Sequence, residues 1–511
     1  MKKRFRNIHV LLFAIYPPLA LFAHNIKDAA FRDLVFWVLT ILTTFFILWL
    51  IEYFVVFRRH ADKSAIALST SLILFFSFGH IYGFLKPLWW SLFGVTSHTK
   101  LGLLLLIIWG VVGLGSHIIL FRLKKNLKDV SGTFNVISGS LIVLALITVL
   151  FSVRKGFSNH SYDNLLDRTY QQASLDSVKA KSGLPDIYFI ILDRYSNNEE
   201  LQTLYGFDNS TFTDFLESKG FFIPKYSASN YVTTPLSLAS SLNLQYLNTE
   251  AVHQFDPDNM RGLKAFIHES LAHRFLRSQG YKLVNSGSWA NVSRVNPYAD
   301  YNILNNDMSE FSIIFLSTTI VHPFLSFFDL KWHPARAQWL RAQNHFKNME
   351  KAIDIPGPKF VFAHFLIPHD PFVYDDDGGY VSMKKRLSTP INVGYIRAVK
   401  YANRRTEELV ENILSRSKIP PVIIIQADEG PNNTTNFDVT DSTDIAKAER
   451  MILSSYLLPG MDAQTVLSDS TSPVNNFRIV FNEYFGTHYE MLKDTTFVFP
   501  EARVFTDANG F

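Results

Sequence analysis

The chain has 511 residues, more than one core usually holds, so two or three domains are expected. It contains no cysteine, which excludes disulfides, a thiolate nucleophile and Cys-ligated metal. The formal charge of +4 traces mostly to basic residues between the early apolar runs, so it offers no argument for nucleic-acid binding.

Five apolar runs fall before residue 152, at roughly 8–23, 34–57, 65–85, 101–121 and 132–152. They approach or reach the ~20 residues that cross a bilayer as a helix. The first is the shortest and carries Pro17 and Pro18. A bundle of buried soluble helices is the competing reading, and so many runs in so short a stretch weigh against it. Flanking basic residues set the orientation. Lys2, Lys3, Arg4 and Arg6 precede the first run; Arg58, Arg59 and Lys63 separate the second and third; Arg122, Lys124, Lys125 and Lys128 separate the fourth and fifth. The alternate connections are poorer in them. This places the amino terminus in the cytoplasm and everything after residue 152 outside. Read as a cleaved signal peptide, the first run would leave the same side exposed.

Residues 153–184 are polar with little periodicity and read as a linker or juxtamembrane helix. From 185 to 511 short apolar runs alternate with longer amphipathic ones, the pattern of an α/β domain with a mostly parallel central sheet. The clearest strands are 186–192, 281–285, 359–367 and 421–426; helices are predicted near 209–219, 234–243, 258–278, 336–354 and 394–416. The segment "DDDGG" (375–379) reads as a solvated turn.

Ligands of open α/β sheets collect at the carboxyl ends of strands. The first strand ends at Asp193, and the strand at 421 ends at Asp428 and Glu429. If these strands are neighbours, three carboxylates converge, and a divalent cation resolves their repulsion; taken singly, each reads equally as a solvated loop acid. Thr234 stands before Pro235 at a helix start, where the dipole favours an alkoxide and the anion it attacks. The alternative is that Thr233 or Thr234 is an N-cap. His369, in "HFLIPHDPFVYD", should project at the same edge, whereas His364 reads as a satisfied core histidine. The segment 286–300 combines Trp289, Arg294 and Tyr298, either a sugar- or phosphate-binding loop or a packed one. Phe477, Val480 and Phe481 in 473–486 are spaced as the core face of a helix.

The order of motifs resembles the sulfatase-like branch of the alkaline phosphatase superfamily: an acid ending the first strand, "TPLSLASSL" at a helix start, P-H-x-P-[FY] after a later strand, and D-E-G ending the last core strand in the place of that branch's D-[HN]-G. With its amino-terminal spans the chain is similar in particular to lipoteichoic acid synthases and phosphoethanolamine transferases. The resemblance implies an alkaline phosphatase/sulfatase-like fold in which Asp193, Thr234, Asp428 and Glu429 hold one divalent metal. It makes Thr234 the nucleophile and gives His369 contact with the transferring group or leaving alcohol. It also implies a multi-pass protein of the bacterial cytoplasmic (inner) membrane, with an extracytoplasmic catalytic domain. The donor would be a phospholipid, giving up phosphoglycerol or phosphoethanolamine through a phospho-threonine, and the acceptor an envelope glycan or lipid. Two departures matter: Asp193 stands where Glu is frequent, and Glu429 where His or Asn is usual. The resulting all-oxygen set favours Mn²⁺, Mg²⁺ or Ca²⁺ over Zn²⁺, and its extra charge opposes activation of the threonine. The chain has neither Cys nor S-x-P-x-R, which disfavours formylglycine chemistry. Beside the transferase stand a metal-dependent phosphodiesterase or sulfatase-like hydrolase using the same residues, and a non-catalytic envelope protein retaining the fold.

Overall fold

The computed structural model describes residues 7–26, 29–94, 98–124, 127–157, 183–247, 260–288, 292–304, 308–328, 330–431 and 447–497. It forms two compact units, one of Met1–Asn159 with Met308–Pro334 and one of His160–Asp307 with Ala335–Asn509.

The first unit is helical: α1 (His9–His24), α2 (Phe31–Ile51, continued by a π turn Glu52–Val56), α3 (Ala61–Phe93), α4 (His98–Arg122) and α5 (Lys128–Phe157). Among the described residues, four stretches are long and apolar enough to cross a bilayer, Phe31–Val56, Ala61–Phe93, Lys100–Arg122 and Lys128–Ser152. The first of the five apolar runs gives only the 16-residue α1, about 24 Å at the helical rise against a hydrocarbon core of ~30 Å. Polar anchors hold it: His9 Nδ1 lies 2.6 Å from Ser69 Oγ on α3, and Nε2 2.9 Å from Ser131 Oγ on α5. Phe46, Val111 and Leu150 are each more than half exposed, which suits a hydrocarbon surround and would be a liability in water.

The second unit is built on one sheet of six strands, in the order β3-β2-β4-β1-β5-β6. These are β1 (Ile187–Leu192), β2 (Lys282–Ser286), β3 (Tyr301–Asn302), β4 (Lys359–Phe365), β5 (Val422–Gln426) and β6 (Ser454–Leu457). All pairs are parallel except β5 with β6. The sequence of β1, IYFIIL, is buried on both faces, as expected for a parallel strand covered on two sides; each large apolar side chain so buried stabilises by about 1.5–3 kcal/mol. The alternation splits the core. Tyr188, Ile190 and Leu192 pack on one face with Val361, Phe365 and Ile425. Ile187, Phe189 and Ile191 pack on the other with Phe360, Phe362 and Ile424, and with Leu236, Leu238, Ala239 and Leu242 of α6 (Thr234–Leu242). Phe477, Val480 and Phe481 join this second core, in the helix Asn476–Phe485. The strands expected from the apolar runs are all present within one or two residues. The two-residue β3 and the antiparallel β6 are too short to announce themselves.

Residues 308–334, which the sequence pattern assigns to the α/β domain, pack instead within the helical unit. They carry two short helices, Glu310–Ser317 and His322–Phe327. Phe315 is buried among Phe13, Ile41, Phe45 and Phe76, and Trp37 Nε1 donates to Ser312 Oγ at 2.8 Å. The connecting turn bonds to the backbone of α3: the Gly79 amide donates to Thr318 O at 3.0 Å, and the Ile320 amide to Phe75 O at 2.9 Å. Irregular backbone is tolerated among such helices where its polar groups are satisfied within protein. The approach needs glycine, because a Cβ at Gly79 would meet Ser317 O at 2.4 Å. Gly83, one turn on, has nothing within 4 Å of its would-be Cβ. In the detergent-solubilised protein, Gly79→Ala should therefore lower the thermal midpoint by several degrees while Gly83→Ala leaves it unchanged or slightly raised; equal midpoints for the two variants would count against this docking.

Candidate active site

The parallel register assembles the site. Ile191 of β1 pairs with His364 of β4 and with Gln426 of β5. Side chains two residues apart share a face, so Asp193 and Asp428 extend the row above, on the face that α6 covers. The residue expected to be a satisfied core histidine thus lies directly beneath two acids. His364 is fully buried, its Nε2 3.2 Å from Asp193 Oδ2 and 4.0 Å from Asp428 Oδ2. Only the pairing of β4 with β1 reveals its position beneath them, and strand order is not written in local sequence.

Each acid has one oxygen tied and one unshared. Asp193 Oδ2 faces His364, while its buried Oδ1 has no partner; Asp428 Oδ1 accepts the Glu429 amide at 3.0 Å, while its buried Oδ2 has no hydrogen-bond partner. Unpartnered buried carboxylate oxygens are costly. One donor atom each from Asp193, His364 and Asp428 lie within 4.8 Å of one another, little more than the roughly 4.5 Å spanned by opposed ligands of a single divalent ion. The residues therefore fit one cation. The set is not the all-oxygen one expected, since an imidazole stands with two carboxylates.

Thr234 opens α6 and Thr233 occupies the N-cap position without making a cap hydrogen bond; the Thr233 hydroxyl is buried and unpartnered. The Thr234 hydroxyl instead lies beside Asp428, close enough to lower its proton affinity. Between the two threonines, the structure brings Thr234 to the acids. The Ser293 hydroxyl meets His364 Nδ1 at 2.7 Å, so the segment 286–300 reaches the site through a serine that sequence reading passed over. A hydroxyl on the far nitrogen orients a ligating imidazole. Tyr298 is 43% exposed, and Trp289 lies outside the described residues.

Glu429, expected on the cation beside Asp428, accepts from Arg194 Nε at 2.9 Å through Oε1. Arg194 Nη1 also donates to Asp370 Oδ1 at 2.8 Å. His369 Nδ1 donates to the Asp370 carbonyl at 2.6 Å and lies 3.3 Å from Asp370 Oδ1. His369 is therefore at this edge, on the opposite flank of Arg194 from Glu429.

Charge crowding shows in the proton affinities. Burial, with the charge of Asp193, pushes Asp428 up to about 6, against the pull of His364 and the Thr234 hydroxyl. Burial pushes Glu429 up to about 8, opposed by Arg194 and reinforced by Asp428 and Asp193. Burial alone would raise Asp193, but the charge of His369, the hydrogen bond and charge of His364, and Arg194 hold it below the usual carboxylate value. Burial alone would lower His364, yet Asp193 and Asp428 raise it.

No family model and no curated protein sequence matches the chain. Among solved structures, it is similar to the integral membrane phosphoethanolamine transferase EptA of Neisseria meningitidis, at 11% identity and TM-score 0.40 over 93% of this chain and 95% of that one. It is similar to the periplasmic domain of EptC from Escherichia coli, at 12% identity and TM-score 0.41 over 61% of this chain and 86% of that one. The lipoteichoic acid synthase LtaP of Listeria monocytogenes aligns at 12% identity and TM-score 0.39, over 64% and 80%. The chain resembles the alkaline phosphatase superfamily in motif order. At these identities the likenesses say nothing of its substrate.

The protonated forms of Asp428 and Glu429 and the charged form of His364 are favoured by the fold, so their contribution to stability is present at low pH and lost as pH rises through about 6 and about 8. Asp193 acts oppositely, only in the acid range. The chelator-treated protein should melt at progressively lower temperature from pH 5 to pH 8. Mn²⁺ should flatten the part of that slope due to Asp428 and His364, adding about 2.7 kcal/mol at a hundredfold excess over Kd. A midpoint indifferent to both pH and Mn²⁺ would show that no cation binds here.

Proposed function

We propose that this chain is a membrane-anchored, metal-dependent transferase that moves a phospholipid head group, phosphoglycerol or phosphoethanolamine, to a glycan or lipid of the bacterial envelope through a phospho-Thr234 intermediate. The observation that carries this reading is the meeting, on one sheet face, of two buried carboxylates that each keep an oxygen without a hydrogen-bond partner, with a threonine hydroxyl beside one of them. A divalent cation held by Asp193, Asp428 and His364, with Thr234 beside it, would supply Lewis-acid polarisation of a phosphoryl oxygen and help ionise a hydroxyl. Of the ions anticipated, Mn²⁺ best suits a set that includes imidazole.

The chain's own residues divide the work. Thr234 Oγ1, its proton released to solvent, bonds to phosphorus as the bond from phosphorus to the diacylglycerol oxygen breaks. The start of α6 places the dipole's positive end at this oxygen. A carbonyl only accepts, so Nδ1 of His369 keeps its proton throughout, while Nε2 of the imidazolium gives its proton to the leaving diacylglycerol oxygen and then takes one from the arriving acceptor hydroxyl. An acceptor hydroxyl then attacks the phospho-threonine and frees Oγ1. A lipid donor suits a chain that has, among its described residues, four helical stretches long and apolar enough to cross a bilayer. The basic connections support a catalytic domain on the outer face of the cytoplasmic (inner) membrane.

Incubated with Mn²⁺ and mixed bacterial phospholipids, the protein should gain an adduct on the peptide holding Thr234, its mass naming the head group, and Thr234→Ala should gain none. A folded protein with no adduct under any lipid would point to hydrolysis or to a fold without its chemistry. Topology is separately testable, because the chain has no cysteine of its own. A membrane-impermeant maleimide should label Lys384→Cys in intact spheroplasts and Lys124→Cys only after permeabilisation; the reverse pattern would put the catalytic domain inside.

A further inference from the structure

We propose that Arg194 grips the transferring phosphoryl group, and that Glu429 serves to hold Arg194 in place instead of ligating the cation; this rests on reading the site as one for phospho-transfer. Arg194 directly follows Asp193 at the end of β1, at φ 65°, a left-handed conformation that a β-carbon disfavours. The turn is pinned from below: buried Tyr395 donates its hydroxyl to Arg194 O at 2.9 Å and accepts the Ser196 amide at 3.1 Å. The guanidinium is fixed at its other end, Nε on Glu429 and Nη1 on Asp370.

Those two bonds leave the Nη2 amino group with no protein acceptor among the described residues, on a side chain that is 16% exposed. His364 is sealed in the core and His369 gains its charge only by protonation. Among the described residues, Arg194 is thus the permanent cation of this cluster that solvent can reach. A phosphoryl group carries charge on several oxygens, and a cation on one side leaves the others to be met. A planar fork already oriented by two carboxylates meets them with little further loss of freedom. The pairing also accounts for the departure at position 429. The resembled family usually has His or Asn there, and a carboxylate serves if its task is to orient a neighbouring arginine.

The competing explanation is that Arg194 only neutralises Glu429 and Asp370. Full-length protein in detergent, loaded with Mn²⁺, distinguishes the two when inorganic phosphate affinity and Mn²⁺ affinity are measured separately by titration calorimetry. Arg194→Gln should weaken phosphate about tenfold to a hundredfold, in line with losing charge-assisted bonds, while Mn²⁺ affinity stays within about threefold. Glu429→Gln should weaken phosphate several-fold and leave Mn²⁺ affinity similarly intact. Should Arg194→Gln fail to fold, the double variant with Glu429→Gln leaves fewer unpaired charges and should show the same phosphate loss. Phosphate binding unchanged in either Arg194 variant would overturn the grip. A tenfold or greater loss of Mn²⁺ affinity in Glu429→Gln would make Glu429 a ligand and overturn its positioning role. Wild-type protein that binds neither Mn²⁺ nor phosphate would instead sink the phospho-transfer reading, and this inference with it.

Discussion

The parallel register that joins β4, β1 and β5 is the constraint on which the site depends. It sets Ile191 level with His364 and Gln426, and so decides that Asp193 and Asp428 continue on the face where α6 packs. A slip of one residue in either pairing would carry an acid to the opposite core. Nothing local prevents that slip; the fully buried apolar residues on both faces of β1 do. Packing energy spread over two cores thereby positions a few polar atoms at one edge.

The edge holds four acids, Asp193, Asp370, Asp428 and Glu429, and the structure sorts them into two sets. Asp193 and Asp428 share His364 and keep one oxygen each unpartnered. Glu429 and Asp370 share Arg194. Adjacent residues in the chain, Asp428 and Glu429, thus answer to different positive charges. With the acids divided in this way, a cation on the first pair and the arginine on the second would be held independently, which a single pool of acids around one ion would not allow.

Much of this was legible in the sequence, and the illegible part has identifiable causes. Asp193 and Asp428 announce themselves because acids at the ends of apolar strands are conspicuous, and the start of α6 is marked by Pro235. His364 was hidden because a histidine inside an apolar run looks alike whether its neighbours are leucines or carboxylates. Ser293 was hidden by its plainness, and Arg194 because its partners come from segments more than 170 residues away. The pairing of Glu429 could not be anticipated, since adjacency in sequence suggests a shared ligand whereas the two side chains turn to different partners. Residues 308–334 contain no run long enough to cross a bilayer, so only their packing shows where they belong.

That excursion has a consequence for how the molecule is made. β4 sits between β2 and β1 in the sheet, yet it is synthesised only after residues 308–334, which pack with the helical unit. Until β4 emerges, β1 and β2 have no common neighbour and the central sheet cannot close. Synthesis therefore alternates between the two units, helices first, then the opening strands, then helices again, then the strand that completes the centre. A ribosome-bound chain ending near residue 334 would hold open strand edges, so folding depends on continued elongation, or on a chaperone, over that interval.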